Sequence, residues 1–145
     1  MGFSGKHNYT IVDCNDNSAN TKRIVMHTGF RAELGSEFHI FLHKSNCLRL
    51  YPEEYWLVRA NNMSERVDNA EMGLMSEEEE EAVMREARDF FGNVYDGKMD
   101  KQGRITLTAN MLKHAGIEND VVIVGLNRFI EIWNPEAYEK SRLKR

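Results

Sequence analysis

The sequence predicts an α+β fold built from two tandem copies of one small unit. The order strand, short helix, hairpin, helix occurs twice, and the strand at residues 23–26 matches the one beginning at Arg104 at a spacing of 81 residues. Gly35 falls on Gly116 at the same spacing. Each match is weak alone, but their common order indicates an internal repeat. A length of 145 residues suits one compact unit or two very small ones.

The first copy starts with the strand at residues 23–26. Residues 28–34 are predicted to form the short helix, which Gly35 ends. Residues 38–42 and 47–51 are rich in apolar and aromatic side chains and predict a hairpin across the turn at 44–46. Pro52 is predicted to begin a longer helix, with Glu53 and Glu54 near its positive dipole end.

The middle of the chain is helical and acidic. Three apolar residues lie at helical spacing on one face: Trp56, Ala60 and Met63. Ser76 with Glu79 forms a capping box that opens a second helix. This helix is predicted to end at Gly92 and to bury Val83, Ala87, Phe90 and Phe91. The acidic run at residues 77–81 is favoured by the helix dipole and by water, so we interpret it as a solvated face.

The second copy has the clearest signals. Residues 104–107 predict a strand, and Thr108 caps a short helix at residues 109–115, which stops at Gly116. Residues 121–124 are apolar on both faces, as in a strand covered on both sides. They form a hairpin with residues 129–133 across the turn at 125–128. Asn134 and Pro135 then begin the last helix.

Composition and charge limit the function classes. The chain has 41% apolar residues and a net charge of −4, and no apolar run approaches the roughly 20 residues of a membrane span. No apolar secretory signal opens it, so we expect a soluble, cytoplasmic protein. The acidity belongs to residues 51–100, which carry five Lys/Arg and fourteen Asp/Glu, whereas the flanking thirds are net basic. Because screening confines such fields to about 8–10 Å, the overall charge does not exclude a nucleic-acid partner.

Metal and enzyme signatures are missing from the sequence. Cys14 and Cys47 are too few and too far apart for a metal knuckle or a disulfide framework. His39 and His43 share a predicted strand face but are about 13 Å apart, too far to bind one zinc together. No HExxH, Walker loop, GxGxxG or GxSxG motif occurs. We therefore expect no metal, no cofactor and no catalytic residue.

The best candidate for chemistry is the loop before the second strand. Asp100-Lys101-Gln102-Gly103-Arg104 combines a turn-forming glycine with two cations and one acid. In a tight turn Asp100 can brace Arg104 or accept N–H groups, while Lys101 and Gln102 project outward. Lysine suits a phosphate, and arginine and glutamine can also bind base edges. The residues alone leave two interpretations open, an ordinary exposed turn with an ion pair and a nucleic-acid contact.

Longer stretches of the chain resemble the MraZ family of bacterial regulators. They are Met99-Asp-Lys-Gln-Gly-Arg-Ile-Thr-Leu, His114-Ala-Gly-Ile-Glu-Asn-Asp-Val-Val-Ile-Val-Gly and Ile130-Glu-Ile-Trp in the second half, and Tyr9-Thr-Ile, Phe30-Arg-Ala-Glu-Leu-Gly and Cys47-Leu-Arg-Leu-Tyr-Pro-Glu-Glu-Tyr-Trp in the first. The resemblance covers roughly residues 5–140 and implies two tandem SpoVT/AbrB-like motifs of swapped-hairpin type, each half of a barrel, with appended helices. The implied divisions are residues 5–54 and 93–136 for the motifs, 55–92 for the acidic connection and 137–145 for a C-terminal helix and tail.

The family hallmark Asp-x-x-x-Arg implies which residues bind DNA. Asp100 and Arg104 satisfy it, whereas in the first half Asp13 and Arg23 are separated by a loop insertion that ends at Lys22. Lys22 stands where the family has glycine, and His27 and Thr108 stand where it has proline. The DNA-contact residues implied are Arg104, Lys101, Gln102 and Gly103, then Lys22 and Arg23, with Asp100 and Asp13 organising the loops.

The resemblance implies a non-enzymatic, nucleoid-associated transcriptional regulator. Family members form ring-shaped homo-oligomers on repeated boxes of double-stranded promoter DNA and usually repress the division and cell-wall gene cluster, including their own gene. We expect the acidic middle helices to face away from DNA. The alternative is an interaction scaffold or an antitoxin-like member of the AbrB fold with weak or no specific DNA binding.

Overall fold

The computed structural model describes residues 2–10, 12–13 and 21–143, with the backbone alone for residues 12 and 13. The described residues form nine strands and five helices. In chain order these are β1 (Lys6–Thr10), β2 (Val12–Asp13), β3 (Lys22–Val25), α1 (Thr28–Leu34), β4 (Glu37–His43), β5 (Cys47–Pro52), α2 (Glu53–Glu71), α3 (Glu77–Gly92), β6 (Val94–Lys98), β7 (Arg104–Leu107), α4 (Ala109–Ala115), β8 (Asp120–Gly125), β9 (Ile130–Trp133) and α5 (Pro135–Leu143). The predicted α+β class is confirmed.

A six-stranded antiparallel sheet runs in the order β1-β8-β9-β5-β4-β6. The two hairpins β4–β5 and β8–β9 meet at its centre, where Arg49 pairs with Glu131. The outer strands cross over between the halves of the chain. β1 pairs with β8 of the second half, and β6 pairs with β4 of the first half.

A smaller sheet of the described residues has the order β2-β3-β7. Ile24 pairs with Ile105 at the middle of β3 and β7, and these two residues lie 81 positions apart in the sequence. The pair Arg49–Glu131 at the centre of the larger sheet joins residues 82 positions apart. Both sheets are therefore centred on pairs with nearly the same sequence separation.

The larger sheet has a hydrophobic cluster on each face, because side chains alternate along a strand. One face packs against the smaller sheet and the short helices α1 and α4, through buried residues that include Ile40, Leu48, Leu50, Ile123, Ile130, Ile24, Ile105, Phe30 and Met111. The other face packs against α2 and α3 through Phe41, Tyr51, Trp56, Met63, Ala87 and Phe90, and against α5 through Val122, Trp133 and Tyr138. The smaller sheet and the acidic helices thus lie on opposite faces.

Side-chain caps mark where three of the five described helices, α3, α4 and α5, begin. Ser76 and Glu79 form the predicted capping box of α3. Thr108 accepts a hydrogen bond from the Met111 N–H at the start of α4, and Gly116 ends that helix in the left-handed conformation. The Asn134 Oδ1 atom accepts hydrogen bonds from two backbone N–H groups at the start of α5. These predicted helix limits are confirmed.

The prediction that Phe91 is buried is wrong. Phe91 is 41% exposed, whereas its neighbour Phe90 is only 4% exposed and packs against Trp56. Successive residues of a helix point about 100° apart, so one helix cannot turn both rings towards the sheet. Val83 and Ala87 are buried as predicted.

None of the five described helices combines the length and the apolar composition that a membrane span requires.

Candidate nucleic-acid interface

The turn at residues 100–104 is organised by the Asp100 carboxylate. Its Oδ1 atom accepts hydrogen bonds from the backbone N–H groups of Gln102 and Arg104, each at 2.9 Å. Its Oδ2 atom accepts a hydrogen bond from Arg104 Nε at 2.7 Å. The backbone N–H of Arg104, and then its side chain, hold the pKa of Asp100 below its ordinary value. Asp100 therefore remains ionised and fixes the Arg104 guanidinium against the turn.

The tip of the same turn points into solvent. Lys101 and Gln102 are exposed there. Gly103 has a φ of +80°, a conformation that favours glycine, and it is buried. Its carbonyl accepts a hydrogen bond from the Met26 N–H at 2.8 Å. Gly103 thus shapes the turn, while Lys101 and Gln102 supply the outward side chains.

Arg23 and Arg104 share the outer face of the smaller sheet. In the pairing of β3 with β7, Arg23 lies opposite Thr106 and Val25 lies opposite Arg104. Ile24 and Ile105 alternate with these residues and are fully buried. The inward isoleucines therefore direct one arginine from each half of the chain to the same outer surface.

A cleft of about 430 Å³ lies on this surface. It is lined by Thr21, Arg23, Lys98, Met99, Asp100, Arg104 and Thr106. The structure thus brings together three of the residues predicted for the DNA-binding site, Arg23, Asp100 and Arg104. Thr21, Lys98, Met99 and Thr106 were not predicted, although the alternation along β7 is a signal that could have placed Thr106 beside Arg104.

Comparisons with known proteins identify the family. A family model described as "MraZ protein, putative antitoxin-like" matches residues 90–144. A relative from Lachnoclostridium phytofermentans named "Transcriptional regulator MraZ" is 32% identical over 96% of this chain and 86% of its own length. Relatives of the same name from Clostridium tetani and Moorella thermoacetica are 30% and 31% identical, each over 95% of this chain and 85% of the relative.

The chain belongs to the MraZ family.

Membership in the MraZ family confirms the resemblance found in the sequence. It also confirms the prediction that the protein is not an enzyme, because the relatives are named transcriptional regulators. Within the described part of the chain, no three His, Cys, Asp or Glu side chains are grouped so that they could hold a metal ion.

The first half of this MraZ chain arranges its predicted residues differently from the second. Lys22 lies opposite Leu107 in the sheet, and its amine donates a hydrogen bond to the Glu118 carbonyl. The alternation of β3 directs Lys22 away from the face that carries Arg23. Lys22 thus points away from the sheet face on which the cleft lies.

The register between β2 and β3 also differs from the register at the corresponding place in the second half. The backbone of Asp13 pairs with Lys22, and that of Val12 pairs with Arg23. In the second half, Asp100 itself lies opposite Arg104, since its N–H donates to the Arg104 carbonyl at 3.0 Å. Asp13 is therefore displaced by one position from its arginine. Residues 14–20, which hold most of the predicted insertion and include Cys14, lie outside the described residues.

An aromatic cluster surrounds His27. The His27 ring stacks on His7 with centroids 3.6 Å apart, and its Nδ1 atom lies 2.8 Å from the Tyr9 hydroxyl. Burial, followed by the positive charges of His7 and Arg31, lowers the pKa of His27 below its ordinary value of 6.5. The ring is therefore neutral at neutral pH and links β1 to the start of α1.

Proposed function

We propose that this protein is a sequence-specific DNA-binding transcriptional regulator that contacts promoter DNA with the outer face of its smaller sheet and with the turn at residues 100–104. The observation that carries the proposal is the arrangement of Arg104, which is braced by Asp100 and lies on the same exposed face as Arg23. Lys98 lines the same cleft, and Lys101 lies at the tip of the turn.

The chemistry of these residues suits duplex DNA. Lysine makes point contacts to phosphate, whereas arginine and glutamine can form hydrogen bonds with base edges. The brace uses the Nε–H of Arg104, and a guanidinium carries four further N–H donors. Because Asp100 already restricts this side chain, less conformational entropy is lost when Arg104 binds a base or phosphate.

The distribution of charge favours the same face. The acidic helices α2 and α3 pack on the other face of the larger sheet, behind the hydrophobic core. Residues 77–79 and Glu81 in the first turns of α3 are exposed to solvent. DNA bound to the smaller sheet would therefore lie away from the main acidic surface, where repulsion is weaker.

We further propose that residues 5–54 and 93–136 are two AbrB-like motifs of swapped-hairpin type, joined by the acidic segment 55–92 and followed by a helix and tail at 137–145. Support comes from the paired residues 81 and 82 positions apart and from the exchange of β1 and β6 between the hairpins. One turn offers few contacts, so a ring of subunits on repeated promoter boxes would raise the effective concentration of each turn. Such a ring would act in the cytoplasm, at the nucleoid, and repress the division and cell-wall gene cluster together with its own gene.

Fluorescence anisotropy tests this function. The protein is titrated onto duplex DNA from upstream of its own gene and onto a scrambled duplex, at several salt concentrations. We expect tighter binding to the upstream duplex, with an affinity that falls linearly on a log–log salt plot. Arg104→Ala should abolish the preference. Arg142→Ala, which removes an equal charge from exposed α5, should keep it.

Equal, weak binding of the wild-type protein to both duplexes would contradict the proposal. The fold would then serve as an interaction scaffold or in an antitoxin-like role. A loss of preference in both variants would instead show that the preference depends on overall charge rather than on the turn.

A further inference from the structure

A contact between the two halves of the chain lies directly beneath the DNA-binding turn. Arg31 belongs to α1 in the first half, and its Nε atom donates a hydrogen bond to the Met26 carbonyl at 2.9 Å. The Met26 N–H donates in turn to the Gly103 carbonyl at 2.8 Å. The backbone of Met26 thus forms hydrogen bonds with both the guanidinium of Arg31 and the turn of the second half.

The guanidinium packs against Gly103 itself. A Cβ atom added to Gly103 would lie only 2.3 Å from both Cζ and Nε of Arg31. The planar group therefore lies against the face of Gly103 from which a side chain would project. At the corresponding position of α4, 81 residues further on, the chain has the buried Leu112, which carries no charge and no hydrogen-bond donor. Leu112 therefore cannot make the hydrogen bond that Arg31 makes.

We propose that Arg31 is a positioning residue for DNA recognition: its guanidinium supports Gly103 and thereby holds the turn in which Asp100 braces Arg104. The inference rests on the proposed function and assigns the first half a part in the site of the second. Lysine cannot replace Arg31 in this role, because an ammonium on a flexible stem offers no planar surface and no fixed Nε–H. The role requires no contact between Arg31 and DNA.

Hydrogen–deuterium exchange of the free protein, measured by mass spectrometry at short labelling times, tests this role without DNA. In the wild-type protein the amides of Asp100, Gln102, Gly103 and Arg104 are all hydrogen-bonded within the turn. We expect Arg31→Ala and Arg31→Lys to accelerate exchange of this segment several-fold, with unchanged exchange in β4 and β8. Lys113→Ala, which removes an equal charge from the exposed face of α4, should leave the turn unchanged.

The lysine variant keeps the charge and the aliphatic stem of Arg31. Its exchange rates can therefore be interpreted even if the alanine variant does not fold. Wild-type exchange of the turn in Arg31→Lys, or in a folded Arg31→Ala, would overturn the proposal. A protein that shows the predicted exchange but no specific DNA binding would refute only the proposed function.

DNA binding supplies the second readout. We expect Arg31→Ala to weaken binding to the upstream duplex more than binding to a scrambled one. Gly103→Ala should cost less affinity in the Arg31→Ala background than in the wild type, because the guanidinium that its Cβ would strike is gone. Equal losses of affinity for both duplexes, together with a log–log salt slope that is shallower by about 0.9, would instead indicate a direct contact between Arg31 and a phosphate. That result would overturn the positioning role.

Discussion

The charged pair Arg49–Glu131 gives the most direct test of how the two hairpins are joined. Glu131 is buried, with a side chain only 9% exposed, and the Arg49 side chain is 20% exposed. Arg49 Nε and Trp133 Nε1 each donate to the Glu131 carboxylate at 2.8 Å. Glu131→Ala would leave a mostly buried guanidinium and a buried indole N–H without their acceptor.

Removing one partner of a buried ion pair costs about 3–5 kcal/mol, because the other charge is left uncompensated. Arg49 keeps some access to water, so we expect a loss near the lower limit, about 3 kcal/mol of unfolding free energy. With a urea slope of about 2 kcal/mol per M, the unfolding midpoint should fall by about 1.5 M. The double variant Arg49→Met with Glu131→Leu should recover only part of the loss, because apolar replacement of both charged partners is often neutral but the Trp133 N–H still lacks its acceptor.

Urea unfolding at one fixed protein concentration measures these effects. Glu86→Ala is the matched control, because it breaks an exposed pair with Arg66 at 2.7 Å and should cost at most about 1 kcal/mol. A midpoint shift for Glu131→Ala no larger than that for Glu86→Ala would refute the description of a buried charge network at the sheet centre.

Three further predictions follow from the caps, the core and the histidine cluster. Ser76→Ala removes the capping box of α3 and should lower the unfolding free energy by about 1 kcal/mol in urea titrations; an unchanged midpoint would contradict the cap. Phe90→Ala should cost about 3–4 kcal/mol by the same assay and Phe91→Ala less than half as much, and equal losses would contradict the burial described. Because the pKa of His27 is lowered on folding, the unfolded chain binds more protons than the native one, and stability should fall as the pH drops below about 6.5. His27→Phe should reduce this fall, measured as urea midpoints at neutral and mildly acidic pH, and an unaltered pH dependence would show that the stacked His7–His27 pair does not cause it.

Elements with strong local signals could be predicted from the sequence. The helices α3, α4 and α5 each begin at a side-chain cap, α3 and α4 end at or next to a glycine, and residues 121–124 of β8 are a continuous apolar run. The edge strands β1 and β6 were not predicted as strands, because Lys6–Thr10 and Val94–Lys98 are largely polar. Their extended conformation depends on pairing with a hairpin from the other half of the chain, which no local pattern reveals.

In the candidate site, too, contacts between residues close in the sequence could be predicted, whereas contacts between distant segments could not. The brace between Asp100 and Arg104 involves residues four apart, so their spacing suffices to suggest it. The contact of Arg31 with Gly103 and the bond from Lys22 to Glu118 join distant segments through the packing of the two sheets. The cleft residue Lys98 likewise becomes part of the face only through the position of β6 beside β4 and the turn that follows it.

Chemical footprinting of lysine amines with and without the upstream duplex tests the central claim most directly. Lys98 and Lys101 lie on the proposed DNA-binding surface, whereas Lys113 and Lys140 are exposed on α4 and α5. We predict that DNA slows modification of Lys98 and Lys101 several-fold and leaves Lys113 and Lys140 unchanged. Protection of Lys113 and Lys140 with continued modification of Lys98 and Lys101 would contradict the claim that the outer face of the smaller sheet binds DNA.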